Sequence, residues 1–295
     1  MKYLALFFFI PLLSNCQESV ESPEVENKPD NIIITKVCDL PSEAYESSGI
    51  IYFQELLWTI NDSGNDPELI VVDTSTGEVE RIIEVQDVVN VDWEALYQDE
   101  QYLYVADNGN NGGSRDSYQI YVISKDSLQD KNKREVLPSR TITYTLSDSD
   151  LSKIGHTQES IDSEAILVST DSIFIFVKDW LEYKTYAFVI GLDSDTSVAK
   201  LGGEYNLRFA STAATRLDEN RFAILGYKDY RAYLSVFTMS ANLIGDHVEV
   251  ASYELFALQG QQTEGLTYSN GTLFISCENM SVFSQALYRV ELPNN

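Results

Sequence analysis

An all-β fold is what the sequence predicts, and three observations predict it. From residue 31 onward the apolar residues come in short alternating or continuous runs of strand length, separated by turn residues. No stretch sustains a 3.6-residue apolar period, and one strand–turn–strand unit recurs along the chain. The 295 residues are 44% hydrophobic, which is ample for a full-sized core and excludes a disordered chain. Lys and Arg number 20 against 46 Asp and Glu, a formal net charge of −26. Gripping a nucleic-acid backbone or an anionic membrane surface requires clustered cations, so both are excluded, and a cationic, neutral or metal-bridged partner is favoured. His156 and His247 are the only imidazoles, which excludes a zinc site built of several histidines.

Taken in order, residues 1–15 read as a lipoprotein signal peptide. Lys2 precedes an apolar run, Tyr3 to Leu13, that is too short to span a bilayer as an anchor. Leu12-Leu13-Ser14-Asn15-Cys16 resembles a bacterial lipobox, in which the Cys16 thiol receives diacylglycerol; Asn15 stands where Gly or Ala is usual. Residues 16–30 are then the lipidated cysteine and an acidic tether with two prolines and no apolar periodicity. This places the protein outside the cytoplasm, anchored by lipid in the outer membrane of a bacterial envelope and able to face the cell surface.

Residues 31–295 form the folded domain. The recurring unit is a small or acidic residue, then Gly or Ala, then an apolar residue, a hairpin, and an acidic or amide pair. It occurs as Ser48-Gly49-Ile50 leading to Asn61-Asp62, Glu94-Ala95-Leu96 leading to Asp107-Asn108, and Glu164-Ala165-Ile166 leading to Lys178-Asp179. Thr212-Ala213-Ala214 leads to Lys228-Asp229, and Glu264-Gly265-Leu266 to Glu278-Asn279. The starts fall 46, 70, 48 and 52 residues apart, close to the length of a four-stranded propeller blade. Third strands follow in all five copies and fourth strands in four. The unused strand Asn31 to Val37 supplies the missing fourth strand of the last copy, closing the ring by pairing the two ends of the chain. Five blades are favoured; a count of six stays open if the 70-residue interval holds a further blade.

The ordered set Trp58-Thr59-Ile60-Asn61-Asp62-Ser63-Gly64, Val91-Asp92-Trp93-Glu94-Ala95-Leu96, Ala106-Asp107-Asn108-Gly109-Asn110-Asn111, Ser163-Glu164-Ala165-Ile166 and Thr263-Glu264-Gly265-Leu266 resembles secreted bacterial β-propellers near the SdiA-regulated and esterase-like-phytase families. The resemblance covers roughly residues 45–290. It implies a propeller outside the cytoplasm and no agreed reaction; Thr212-Ala213-Ala214 departs from the pattern where an acid is expected.

Adjacent strands run antiparallel, so the start of each innermost strand and the end of the next lie on one face. That gathers Asp92, Glu94, Asp162, Glu164, Glu264 and Glu278 at one mouth of the channel, with Asn61, Asp62, Asp107, Asn108 and Asp179 beside them. Like charges so close raise one another's pKa, and a hard cation held by oxygen ligands relieves them. Asp92, Glu94, Glu164, Glu264 and Glu278 are therefore the candidate ligands for Ca²⁺, and Asn61, Asp62, Trp93, Asp107, Asn108, Lys178 and Asp179 the candidate ligand-binding set. The alternative is that these acids bond backbone amides and set blade register. The loops 61–66 and 107–113 read as long hairpin turns rather than separate calcium loops.

His156 lies in the connection before the third copy, either as a solvent-exposed loop residue or as an acid or base beside Glu164. Lys178 and Lys228 either pair with the acids or hold an anionic substrate. Trp93 and Trp180 near carboxylates suggest a sugar platform, with blade packing as the ordinary alternative. Cys38 and Cys277 fall on strands separated by a third and are expected as buried free thiols.

These residues support a lipid-anchored envelope propeller, monomeric, whose acidic face binds a cation and through it a ligand or envelope protein. A metal-dependent phosphoester hydrolase, with Glu94, Glu164 and His156 as catalytic candidates, is the second reading, and a carbohydrate-binding or carbohydrate-cleaving lipoprotein the third. No nucleophile motif or phosphate loop is present, so the sequence does not decide whether the protein is an enzyme.

Overall fold

The computed structural model describes residues 32–239 and 248–293. The signal segment, Cys16, the acidic tether and His247 lie outside the described residues. Strand β1 (Ile33–Asp39) comes first, followed by β2 (Ser47–Phe53), β3 (Leu56–Asn61), β4 (Glu68–Asp73) and β5 (Glu78–Val85). Next come β6 (Trp93–Gln98), β7 (Tyr102–Asp107), β8 (Tyr118–Ser124), the two-residue β9 (Glu135–Val136) and β10 (Arg140–Leu146). Helix α1 (Asp148–Lys153) leads to β11 (Asp162–Val168), β12 (Ser172–Asp179), β13 (Lys184–Gly191) and β14 (Thr196–Tyr205). The chain continues through β15 (Ala210–Arg216), β16 (Arg221–Lys228), β17 (Arg231–Thr238) and β18 (Glu249–Glu254), and ends with β19 (Thr263–Ser269), β20 (Thr272–Cys277) and β21 (Ala286–Glu291).

These strands form a β-propeller. Meanders of antiparallel strands run outward from β2, β6, β11, β15 and β19, and β1 pairs antiparallel with β21, so the N-terminal strand completes the last sheet as the repeat pattern predicts. The innermost strands pack in order, β2 on β6, β6 on β11, β11 on β15, β15 on β19, and β19 back on β2. The long interval between the second and third copies is taken up by a 3-10 turn, β9, which pairs parallel with β5, and α1. The outer strands β10 and β14 also pair in parallel, covering two edges that would otherwise be free to template aggregation.

Each pair of neighbouring sheets encloses one apolar layer. Trp58, Trp93 and Tyr121 fill the first, Tyr118, Tyr144 and Phe188 the second, and Phe176, Phe222 and Phe237 the third. Leu234, Leu255 and Ile275 fill the fourth, and Leu57, Ile70 and Leu287 close the ring. Because each sheet is covered on both faces, its inner strands read as continuous apolar runs instead of clean alternation. Cys38 and Cys277 are free, with β21 between their strands. Burial pushes the Cys277 thiol up, away from the reactive thiolate.

The recurring sequence unit is a β-bulge. In β6 the register passes from Trp93 opposite Asp107 to Ala95 opposite Ala106, so Glu94 is left without a partner. The same step skips Glu164 in β11, Thr212 in β15 and Glu264 in β19, and a wider one skips Ser48 and Gly49 in β2. A bulge re-aims one side chain and bends the strand, and here it does so at the same level in every innermost strand. The small residue that follows is dictated by the approach of the neighbouring strand. A Cβ at Gly49 would collide with the backbone of Ala95 and Leu96, and one at Gly265 with the carbonyl of Ser48.

Candidate functional site

The connection from β5 to β6 is pinned before it delivers its acids. The Asn90 side-chain amide donates to the carbonyls of Asn61 (3.0 Å) and Asp62 (2.9 Å), and its Oδ1 accepts from the Trp93 N–H at 3.0 Å. The Asp92 N–H donates to Asp107 Oδ1 at 3.1 Å, while its carbonyl accepts from the N–H groups of Asn108 and Gly109. The Asn110 N–H donates to Asp162 Oδ1 at 2.7 Å, tying the loop after β7 to the start of β11.

This framework brings five carboxylates together. Oxygens of Asp62, Asp92 and Glu94 lie within 4.8 Å of one another, as do those of Glu94, Asp162 and Glu164, so Glu94 belongs to both groups. Among the described residues these are the groups of three acids close enough to share one ion. Glu94 and Glu164 are buried, and Glu94 Oε1 and Glu164 Oε2 have no hydrogen-bond partner. The Asn61 and Asn108 side-chain oxygens are buried and unpartnered as well. Gly109 is part of the cradle, since a Cβ there would run into the carboxylates of Asp92 and Glu94.

Lys178 answers one of the two groups. Its ammonium is fully buried, 3.0 Å from Asp162 Oδ2, in close contact with Glu164 Oε1, and 4.1 Å from the Trp180 ring. Burial opposes its charge, but Glu164 and Asp162 outweigh that and hold the group well above the usual lysine range. The Asp62–Asp92–Glu94 group has no such partner. Burial, reinforced by Glu164, Asp62 and Asp162, pushes Glu94 well above the carboxylate range, and burial followed by the Asp62 and Asp162 charges pushes Asp92 up to about 6. Glu264 and Glu278 stand outside both groups. Burial raises both, with Glu278 the leading charge on Glu264, and Glu278 reaches about 8.

Several expected site residues have structural work instead. Trp93 is fully buried between sheets against Tyr121, because the bulge turns Glu94 and not Trp93 into the channel, so it is no sugar platform. Asp107 is buried and paired with Arg115 at 2.6 Å, an arginine hidden in a loop whose sequence carries no signal for the pairing. Asn108 bonds the Ser163 hydroxyl at 3.1 Å across two sheets. Asp179 caps the turn after β12 through the N–H groups of Leu181 and Glu182. It also meets His156 Nε2 at 3.1 Å. His156 is therefore neither a free loop residue nor paired with Glu164; its ring packs on Tyr186 and its Nδ1 meets Ser160. The 61–66 loop is a hairpin turn held by Asn65, which donates to Glu46 and accepts from Tyr45.

No family model and no curated protein matches the chain. Solved structures do. An exo-β-1,3-galactanase from Phanerochaete chrysosporium, solved with β-1,3-galactotriose, is 7% identical with a TM-score of 0.52, over 90% of this chain and 67% of that one. The PQQ-bound form of an aldose sugar dehydrogenase from Streptomyces coelicolor is 8% identical with a TM-score of 0.51, over 90% of this chain and 99% of that one. A calcium-binding regucalcin from Agrobacterium tumefaciens stands further off, at 9% identity and a TM-score of 0.42, over 86% and 91% of the two chains. At such identities the likeness establishes the propeller fold and carries no ligand or reaction with it.

Proposed function

We propose that the protein is a cation-binding propeller of the bacterial envelope, with a divalent ion, calcium by the chemistry of its ligands, held by Asp62, Asp92 and Glu94 at the channel mouth. The observation that carries this reading is the unpartnered buried Glu94 oxygen in a group of three acids with which the buried Lys178 makes no ion pair. All the available donors are oxygens, as a hard cation requires, and three carboxylates leave coordination positions for water or a partner's oxygen. The lipobox-like Leu12 to Cys16 supports anchoring outside the cytoplasm. Resemblance to the SdiA-regulated and esterase-like-phytase propellers is consistent with that location.

Calcium added to chelator-stripped protein should bind with a dissociation constant on the order of micromolar and raise the melting temperature. Calorimetry on Asp92→Asn/Glu94→Gln should show the binding gone with the fold intact. A stripped wild type that gives neither binding heat nor thermal shift would defeat the metal reading. For the anchor, Cys16→Ser should move the protein from the membrane fraction to the soluble one, and an unchanged distribution would refute lipidation at that residue.

A further inference from the structure

The face that carries the acidic mouth also carries a concentration of exposed apolar side chains. Val89, Trp180, Leu181, Tyr230, Phe256 and Val282 are all exposed, Leu181 at 88%, Val282 at 81% and Tyr230 at 76%. Each sits on a connection that opens on this face: β5 to β6, β12 to β13, β16 to β17, β18 to β19 or β20 to β21. At the opposite ends of the strands the exposed large apolar residues, among those described, are Ile33, Leu137, Val248, Val250 and Tyr268, fewer and more scattered than on this face, where Tyr45, Val91 and Phe283 are exposed as well. Burial drives large apolar groups inward, so their collection on one face marks a surface that another molecule covers.

Charge narrows the choice of that molecule. Among the described residues the Lys and Arg on the loops of this face are Arg115, Lys153 and Arg208, and each is paired, with Asp107, Asp150 and Glu249. Glu46, Asp66, Asp87, Glu159 and Asp229 lie on the same loops and enter no ion pair. Among the described residues the face therefore presents unpaired negative charge around apolar anchors, and Lys228 at the end of β16, its ammonium 4.0 Å from the Tyr183 ring, is its one cation outside an ion pair. An anionic lipid surface and a second copy of this face are both repelled by that pattern, and a basic partner is attracted and steered to it.

We infer that this face docks a polypeptide segment in which basic residues alternate with apolar or aromatic ones. The apolar side chains pack on the anchors and the basic ones meet the surrounding acids. This goes beyond the cation reading and does not require it, because the acids named here are not the three proposed to hold calcium.

The test is to pan a displayed library of random dodecapeptides against the full-length protein in chelator. Peptides mixing Lys or Arg with Leu, Phe or Trp should be enriched. Their affinity should fall at least tenfold for Leu181→Ser/Val282→Ser and for Asp66→Asn/Asp87→Asn, and should weaken with salt. No enrichment, enrichment of acidic sequences, or binders indifferent to both variants would overturn the proposal. Self-association of the protein alone that Leu181→Ser/Val282→Ser abolishes would assign the face to a second copy. Co-sedimentation with phosphatidylcholine vesicles through the same residues, by protein carrying Cys16→Ser so that no lipid anchor contributes, would assign it to a lipid surface. Running the panning in chelator keeps a failure here separate from a failure of calcium binding.

Discussion

Replacing Lys178 with Met is expected to lower the stability of the protein by about 3–5 kcal/mol at neutral pH, the range seen when one partner of a buried ion pair is removed. Met keeps most of the side chain's volume, so the loss isolates the charge. Without the ammonium, Glu164 and Asp162 face Glu94 with nothing between them, all three being buried. They must then take up protons or repel one another. Urea denaturation measures the loss. Lys178→Met/Glu164→Gln removes one of the stranded charges and should recover part of it, and so should calcium, which can enter the Glu94–Asp162–Glu164 group once the lysine has left it. A loss below about 1 kcal/mol, or a double variant no more stable than the single one, would show that Lys178 is not the counter-charge of the channel.

That lysine also marks how far the sequence could be read. The propeller was legible because strand period, turn residues and a repeated unit all agree, and because a spare strand at one end matched a missing strand at the other. Glu94 and Glu164 were legible for a related reason: a bulge at one level of every innermost strand forces the same local sequence at each copy. Pairing of Lys178 with the acids is one of the two roles the sequence offers, and it is the one found; its full burial is not legible, since a lysine at a strand end usually reaches solvent and only the closure of the ring buries this one. For Trp93 the ordinary reading, blade packing, holds, and its place in the ligand-binding set does not, because the bulge breaks the alternation on which side-chain direction is read. Arg115 and His156 find their acids across loops, where spacing carries no geometric information. Glu264 and Glu278 were grouped with the other acids because the repeat puts them at matching levels, but matching level does not bring their oxygens within reach of a single ion.

Stability of the metal-free protein should fall as pH rises from about 4.5 to about 8, and calcium should flatten the fall. In the unfolded chain Glu278 and Asp92 release their protons near the ordinary values of 4.5 and 3.8, whereas burial and the surrounding acids carry them to about 8 and about 6 in the fold. Between those limits the folded state binds more protons than the unfolded one. The contribution is therefore complete at low pH and is lost as pH climbs through the folded values. Glu278 alone accounts for a loss on the order of 4 kcal/mol by pH 8, roughly 10 °C in melting temperature for a domain of this size. Below about pH 4 the opposite behaviour takes over, because Asp150 and Asp179 are held below the ordinary range, Asp150 by Lys153 and Asp179 by backbone amides and His156 against the opposing effect of partial burial. The optimum of the metal-free protein accordingly lies in mildly acidic solution. Calcium binds the ionised forms of Asp92 and Glu94, and at a hundredfold excess over its dissociation constant it contributes about 2.7 kcal/mol where those groups are charged. Calorimetric melting from pH 4.5 to 8, in chelator and in calcium, separates the two claims. A flat profile in chelator would mean that the channel acids are ionised in the fold after all. A falling profile that calcium leaves untouched would keep the buried acids and remove the ion.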